Sequence, residues 1–474
     1  MNEAPEADSG YAWFRLFVSL LLAAIGGCGM YVVVVVVLPA VQADFGVARG
    51  DASIPYTMTM IGFGIGGILM GRLSDRFGIV WPVTIGGVAI AAGFLLASAS
   101  NGIFGFGLAQ AVLVGMFGSS AMFSPLVTDT SFWFQRRRGI AVAICASGNY
   151  VAGTFWPPLT QHLVDSIGWR QTYFGIGIFC LVTIVPLAQL LRTRATAPLL
   201  RRPSVPARSA ADVRVAEHGA APSGERVFVP EAAHGARAAG GRQENADRMQ
   251  HRSQDDVPIR DAHASDVSLS LERLGISSRA LLVLLSIAGV ACCVAMAMPQ
   301  VHIVAYCGDL GYGPARGAEM LALMLGFGIV SRLVSGVICD RIGGLRTLLL
   351  GSALQGIALL LFLPFDSLAS LYVISALFGL FQGGIVPSYA IIVREFFPAS
   401  GAGVRVALVL TATLFGMALG GWLSGVLFDW TGSYDAAFVH GIAWNAVNLS
   451  IVGWLLLRLR RRADQAVPGL AARS

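Results

Sequence analysis

Residues Met320–Gly343 read MLALMLGFGIVSRLVSGVICDRIG. The stretch is one apolar helix with a single charge inside it, Arg332, and a polar end running from Gly336 to Gly343. Arg332 stands eight residues before Asp340, about 12 Å along a helix that rises about 1.5 Å per residue. An arginine at that depth in hydrocarbon costs about 2.5–3.5 kcal/mol by insertion scales. It therefore implies an anion, a counter-charge or a water-filled cavity facing it. The polar end has an earlier echo, Gly71-Arg72-Leu73-Ser74-Asp75-Arg76-Phe77-Gly78, in which Gly, Asp, Arg and Gly keep the same internal spacing. Working outward, the chain reads as a duplicated membrane unit carrying one arginine that is not duplicated.

Composition agrees. Hydrophobic residues make up 55% of the 474, charged residues 13%, and the mean hydropathy is +0.69. Soluble domains carry about 25% charged residues, so this chain is built for a lipid bilayer. Every basic residue is arginine, a bias that, with the abundant Ala and Gly, fits a GC-rich bacterium and an inner (plasma) membrane location. The net charge of +6 does not indicate nucleic acid, because the arginines fall where membrane topology places them. The seven cysteines, Cys28, Cys145, Cys180, Cys292, Cys293, Cys307 and Cys339, include no CxxC pair. Neither a disulfide framework nor a metal site is indicated, and no cofactor is expected. Glu3, Glu6 and Asp8 without a basic residue are unlike the start of a signal peptide.

A helical span needs about 20 predominantly apolar residues. Twelve runs qualify, near 14–41, 52–70, 79–98, 104–130, 139–160, 170–191, 279–305, 315–339, 346–364, 369–393, 404–427 and 435–458. The expected fold is thus an all-α membrane protein of two six-helix bundles, 14–191 and 279–458. The polar stretch 192–278, rich in Ala, Arg, Pro, Gly and Ser, reads as a disordered linker. Residues 1–13 and 459–474 form short tails. Arginines crowd one set of loops (Arg15, Arg72, Arg76, Arg136, Arg137, Arg138, Arg341, Arg346, Arg394, Arg405, Arg458, Arg460, Arg461, Arg462), whereas the other set holds Arg49, Arg170 and Arg316. The asymmetry puts both termini and the linker in the cytoplasm. Pro125 and Pro387 occupy similar places in spans four and ten. Internal duplication of this kind builds many secondary transporters, with substrate near the midplane between the halves.

The turn Gly71–Gly78 and its echo resemble the G-x-L-x-D-R-x-G loop signature of the major facilitator superfamily. The resemblance implies that Gly71, Asp75, Arg76, Gly336, Asp340 and Arg341 latch the cytoplasmic side and do not touch substrate. Asp129, seven residues before Arg136, falls near the inner end of span four, and we expect it to pair with Arg72 or Arg76. Asp8-Ser9-Gly10-Tyr11-Ala12-Trp13 resembles the first signature of the monocarboxylate transporter branch. Phe132-Trp133-Phe134-Gln135-Arg136-Arg137-Arg138-Gly139-Ile140-Ala141, followed by Ala146-Ser147-Gly148, resembles the second. The run Gly416-Met417-Ala418-Leu419-Gly420-Gly421, with Gly425, Asp429 and Thr431–Tyr434, looks like bacterial members and the related oxalate/formate exchangers.

In that branch an arginine at the place of Arg332 binds the substrate carboxylate. The residue itself suits the role, because a guanidinium offers a planar fork matching a carboxylate. Two positions depart from the pattern: Gly328 stands where animal members carry an aspartate one turn earlier, and Ala40 follows Pro39 where they carry a lysine. Both are proton-coupling positions in the resemblance. His302 could sense or carry a proton near neutral pH. Tyr31 and Asn149 are the polar residues on spans one and five most suited to line a cavity, although single polar groups also join helices. The pairs Gly62/Gly66, Gly67/Gly71, Gly416/Gly420 and Gly421/Gly425 have GxxxG spacing and are expected to be packing seams.

No GxSxG, HExxH or GxxxxGK[ST] motif occurs, so neither hydrolase nor ATP-driven pump has support. The expectation is a monomeric, non-enzymatic secondary transporter of a small organic anion, a monocarboxylate first, with Arg332, Tyr31, Asn149 and His302 as substrate contacts. Proton symport is the first choice of coupling and anion exchange the second. A transporter-like sensor signalling through the linker is the rival from another class, distinguished by whether transport survives linker deletion.

Overall fold

The computed structural model describes residues 8–32, 38–193, 274–398 and 401–466. The proposed linker lies, apart from its ends, outside the described residues, as do most of the Val32–Val37 run and the last residues of the tail. All regular structure among the described residues is helical. The first half comprises α1 (Gly10–Gly26), α2 (Cys28–Val32), α3 (Leu38–Phe45), α4 (Arg49–Phe77), α5 (Val80–Ser98) and α6 (Ile103–Leu108). A π-wound segment, Ala109–Ser119, then leads to α7 (Ser124–Trp133), α8 (Arg138–Ala146), α9 (Gly148–Ile167) and α10 (Trp169–Gln189). The second half comprises α11 (Ser278–Asp309), α12 (Pro314–Ile342), α13 (Gly344–Leu361), α14 (Leu368–Gln382), α15 (Ile385–Phe396), α16 (Ala402–Thr431) and α17 (Asp435–Ala466).

Eleven helical stretches among the described residues are long and apolar enough to cross a bilayer. The place of the remaining expected span, 139–160, is taken by α8 and α9, which meet end to end at Ser147. Spans four and ten are broken at matching points, before Pro125 in α7 and before Pro387 in α15. The repeated turn is duplicated in geometry as well as in sequence. Gly78 closes α4 at φ 85° and Gly343 closes α12 at φ 82°. Each donates its N–H at 2.8 Å to the carbonyl four residues back, Ser74 and Cys339 respectively. Only glycine adopts that conformation without strain, which explains the glycine at the end of both copies.

The halves meet along two seams, α4 against α16 and α9 against α12. Glycines set the closeness of these and neighbouring contacts. A side chain at Gly62 or Gly66 would strike the π-segment carbonyls of Ala111 or Met116, and one at Gly416 or Gly420 would strike the α11 carbonyls of Val290 or Val294. Gly421 and Gly425 face Tyr56 and the backbone at Arg49 and Gly50. Gly67 and Gly71 are different: nothing lies within 4 Å of where their Cβ would be. Their pair is not a packing seam in this structure.

Candidate functional site

Arg332 projects from α12 toward the junction of α8 and α9. Its Nη1 donates to the Ala146 carbonyl at 3.1 Å, and its guanidinium carbon lies 4.5 Å over the ring of Tyr150. Ala146 closes α8, and the final carbonyls of a helix have no partner within it. The break at Ser147 therefore supplies the acceptor that a continuous span would have consumed. Arg332 Nε is buried without a hydrogen-bond partner, and the residue makes no ion pair among the described residues. Its charge rests on a neutral ring and one carbonyl, a combination worth about 2–4 kcal/mol and short of a carboxylate's match.

Gly328, one turn earlier, completes the arrangement. A Cβ there would lie 2.5 Å from Tyr150 Cε1. The Tyr150 ring thus fills the space that a side chain at position 328 would need. Tyr31 stands within electrostatic reach of both Tyr150 and Arg332, and Tyr56 within reach of Tyr31. Tyr150 and Tyr31 accordingly flank the guanidinium, with Tyr56 beyond Tyr31. Sequence reasoning named Tyr31 and Asn149, not Tyr150, as the substrate contacts on these spans. The structure places Asn149 against the helix break of span one, its Oδ1 3.5 Å from where a Gly27 Cβ would be. Adjacent residues on a helix point about 100° apart, so only one of the two can face Arg332.

His302 is fully buried in α11, away from this group. Its Nε2 donates to the Gly421 carbonyl at 2.8 Å, and its ring packs 5.7 Å from that of Tyr434. It belongs instead to a clamp that joins the halves at the Arg49 end. There Arg49 Nη1 pairs with Asp309 at the end of α11 and donates to the Tyr434 hydroxyl at 2.7 Å. Asp429 of α16 accepts from the Arg49 and Gly50 amides at 2.9 and 2.7 Å. The N-cap of α4 is Ala48, which has no side chain to offer, so a carboxylate from the other half caps this helix. Sequence reading had noted Arg49 only as a loop arginine. Its partners lie 260 and 380 residues away, and no local pattern announces them.

The opposite end shows no such clamp among the described residues. Asp75, Arg76, Asp340 and Arg341 are exposed and make no ion pair among the described residues, and Gly71 and Gly336 have empty space beside them. The expected pairing of Asp129 with Arg72 or Arg76 is corrected: Asp129 pairs with Arg15, at 2.9 and 3.2 Å. Arg15 is 2% exposed, stacks 4.7 Å over Trp133 and donates to the Leu191 carbonyl at 3.1 Å. It wins because it is buried beside Asp129, whereas Arg72 and Arg76 of the same half are exposed to water. The two branch-like signatures dock on each other around this pair. Asp8 accepts from the amides of Gln135, Arg136 and Arg137, and Tyr11 and Trp13 meet Trp133 and Phe134 edge to face at 5.5 and 5.1 Å.

Two helical halves clamped at the Arg49 end, with Arg332 between them and without an ion pair among the described residues, are the arrangement of a membrane carrier. The chain belongs to the Major Facilitator Superfamily, whose profile matches residues 19–365 and 280–472. It is 25% identical over 390 residues to monocarboxylate transporter 13 of Bos taurus, covering 82% of this chain and 75% of that protein. Over 377 residues it is 22% identical to the MFS-type transporter pynF of Aspergillus niger, covering 78% and 72%. A crystal structure of the peptide transporter POT with alafosfalin shares the fold at TM-score 0.64, with 14% identity and 95% of each chain covered. The protein is a transporter and not an enzyme.

Proposed function

We propose that the protein carries small organic anions, monocarboxylates foremost, with Arg332 as the anion anchor. The observation that carries this reading is the state of Arg332: a half-buried guanidinium with, among the described residues, an unpartnered Nε and no carboxylate paired to it. An incoming carboxylate supplies the missing counter-charge in a bidentate pair. Tyr31, within electrostatic reach of the guanidinium, offers a hydroxyl. The arginine bias of the loops supports the Arg49 face as the outer one. The arrangement then corresponds to a carrier closed outside and open inside, with the Asp75 and Asp340 turns forming the inner latch in the alternate state.

For coupling, proton symport remains one reading, and anion exchange has a specific observation in its favour. Tyr150 occupies the space beside Gly328, so no carboxylate titrates next to Arg332 among the described residues. An empty carrier must pass its occluded state with an unpaired cation, whereas a loaded one passes as a neutral pair. Loaded reorientation is then the faster step.

Radiolabelled uptake into proteoliposomes tests both points, using lactate, pyruvate, acetate, oxalate and formate. Uptake that requires Arg332 and rises with an inward proton gradient supports symport. Uptake that requires Arg332 and rises only with unlabelled anion inside supports exchange. Full uptake by Arg332→Ala, or none of any carboxylate by the wild type, overturns the anchor.

A further inference from the structure

A groove of about 510 Å³ opens beside the α9–α12 seam. Thr154 and Pro158 of the first half form one wall, and Leu323, Phe327 and Val330 of the second half form the floor. Its lining is almost wholly apolar, and Phe327 and Val330 are 39% and 47% exposed within it. Glycine keeps it wide: a Cβ at Gly326 would find only Thr154, at 3.5 Å. In a membrane-spanning bundle the open side of such a groove faces hydrocarbon.

One end is polar. The Tyr372 hydroxyl donates to the Glu319 carboxylate, which also receives two bonds from Arg316 at 3.0 and 3.1 Å. Arg316 is the third residue of α12, and its side chain is 52% exposed. Both bonds leave from Nη1, so the guanidinium keeps an outward edge at the helix end. From Glu319 to Val330 is eleven residues, about 16 Å of helix. One leaflet of hydrocarbon is about 15 Å deep, half of about 30 Å. The groove therefore runs from the water boundary to the bilayer midplane, the reach of one acyl chain.

We infer that this groove seats one acyl chain of a membrane phospholipid whose phosphate rests on Arg316. Glu319 adds a site for a headgroup ammonium, so the charge pattern matches a zwitterionic aminophospholipid better than an acidic one. The chain lies against both halves at a seam whose width must change when they rock. It consequently favours the conformation described here.

Native mass spectrometry of the full-length carrier tests the assignment. Delipidated protein is titrated with phosphatidylethanolamine, phosphatidylglycerol and an uncharged monoacylglycerol. The wild type is expected to bind one lipid ahead of the rest, phosphatidylethanolamine before phosphatidylglycerol. Gly326→Phe and Val330→Trp fill the groove and lower that first occupancy about tenfold, the equivalent of two buried methylenes. Val182→Phe, on an exposed lipid-facing surface outside the groove, leaves it unchanged. Arg316→Gln lowers phospholipid occupancy up to about fivefold, as expected for one lost exposed ion pair, and spares monoacylglycerol. Because Val330 is a half-exposed surface position, that variant remains informative if Gly326→Phe does not fold. Wild-type occupancy in a folded Gly326→Phe or Val330→Trp carrier, an equal loss in Val182→Phe, or preferential retention of a non-lipid molecule overturns the proposal. Substrate plays no part in the readout, so the outcome is independent of the transport assignment.

Discussion

Arg332 of α12 and Tyr150 of α9 meet across the two halves, the guanidinium carbon 4.5 Å over the ring. The contact holds a cation in place without neutralising it. Arg332→Ala should therefore abolish carboxylate uptake, and Arg332→Lys should retain little, because an ammonium lacks the planar fork. Loss of the bidentate contact corresponds to about 10- to 100-fold in apparent affinity. Initial uptake rates in proteoliposomes over a range of substrate concentrations measure it.

The same pair predicts a non-additive result. Gly328→Asp alone should fail to fold well, since its Cβ would lie 2.5 Å from the Tyr150 ring. Gly328→Asp with Tyr150→Ala should fold and place a carboxylate one turn from Arg332. Uptake by the double variant should gain a dependence on the proton gradient that Tyr150→Ala alone lacks. Thermal unfolding in detergent and uptake against pH read the two effects.

Asp429 caps α4 from the other half, so its loss should weaken closure at that face. Asp429→Asn and Arg49→Gln should each raise the population open at the Arg49 end about fivefold, the worth of one cap or charged contact. Spin labels at the exposed positions Ala43 and Trp430 report it as a longer inter-label distance. The native cysteines are buried and should stay unlabelled. An unchanged distance distribution would mean that the clamp does not govern opening.

Breaking the Arg15–Asp129 pair strands a charge. Asp129→Asn should destabilise the first half by about 3–5 kcal/mol, whereas Arg15→Met with Asp129→Leu should cost far less. Chemical unfolding of purified protein in detergent distinguishes a structural pair, as described, from a proton carrier. A carrier role predicts lost gradient-driven uptake with stability intact.

Asp8 gives a pH dependence outside the membrane. Its slight burial works against ionisation, but the Arg136, Gln135 and Arg137 amides outweigh this and hold the carboxyl below its usual value. The docking of residues 8–13 is thus strongest above the ordinary aspartate range and fades as pH falls through the lowered value. Hydrogen exchange at residues 135–137 should quicken in acid beyond its intrinsic trend, and Asp8→Asn should show the faster exchange at neutral pH.

Much was legible in the sequence because its causes are local. Hydrophobic runs, the duplicated Gly71–Gly78 and Gly336–Gly343 turns and the arginine at 332 follow from hydration cost, helix rise and glycine's freedom at positive φ. These need no knowledge of neighbours. The partners of those residues were not legible. Asp129 found Arg15 rather than Arg72 or Arg76, Tyr150 rather than Asn149 turned to Arg332, and His302 joined the Arg49 clamp rather than the central group. Each was decided by which helices pack and at what rotation, and so by contacts across 114 or more residues of chain. The sequence alone determined a duplicated helical membrane bundle with one unmatched interior cation. Only the tertiary structure decided what surrounds that cation and which end of the bundle is closed, because both depend on side chains brought together from separate spans.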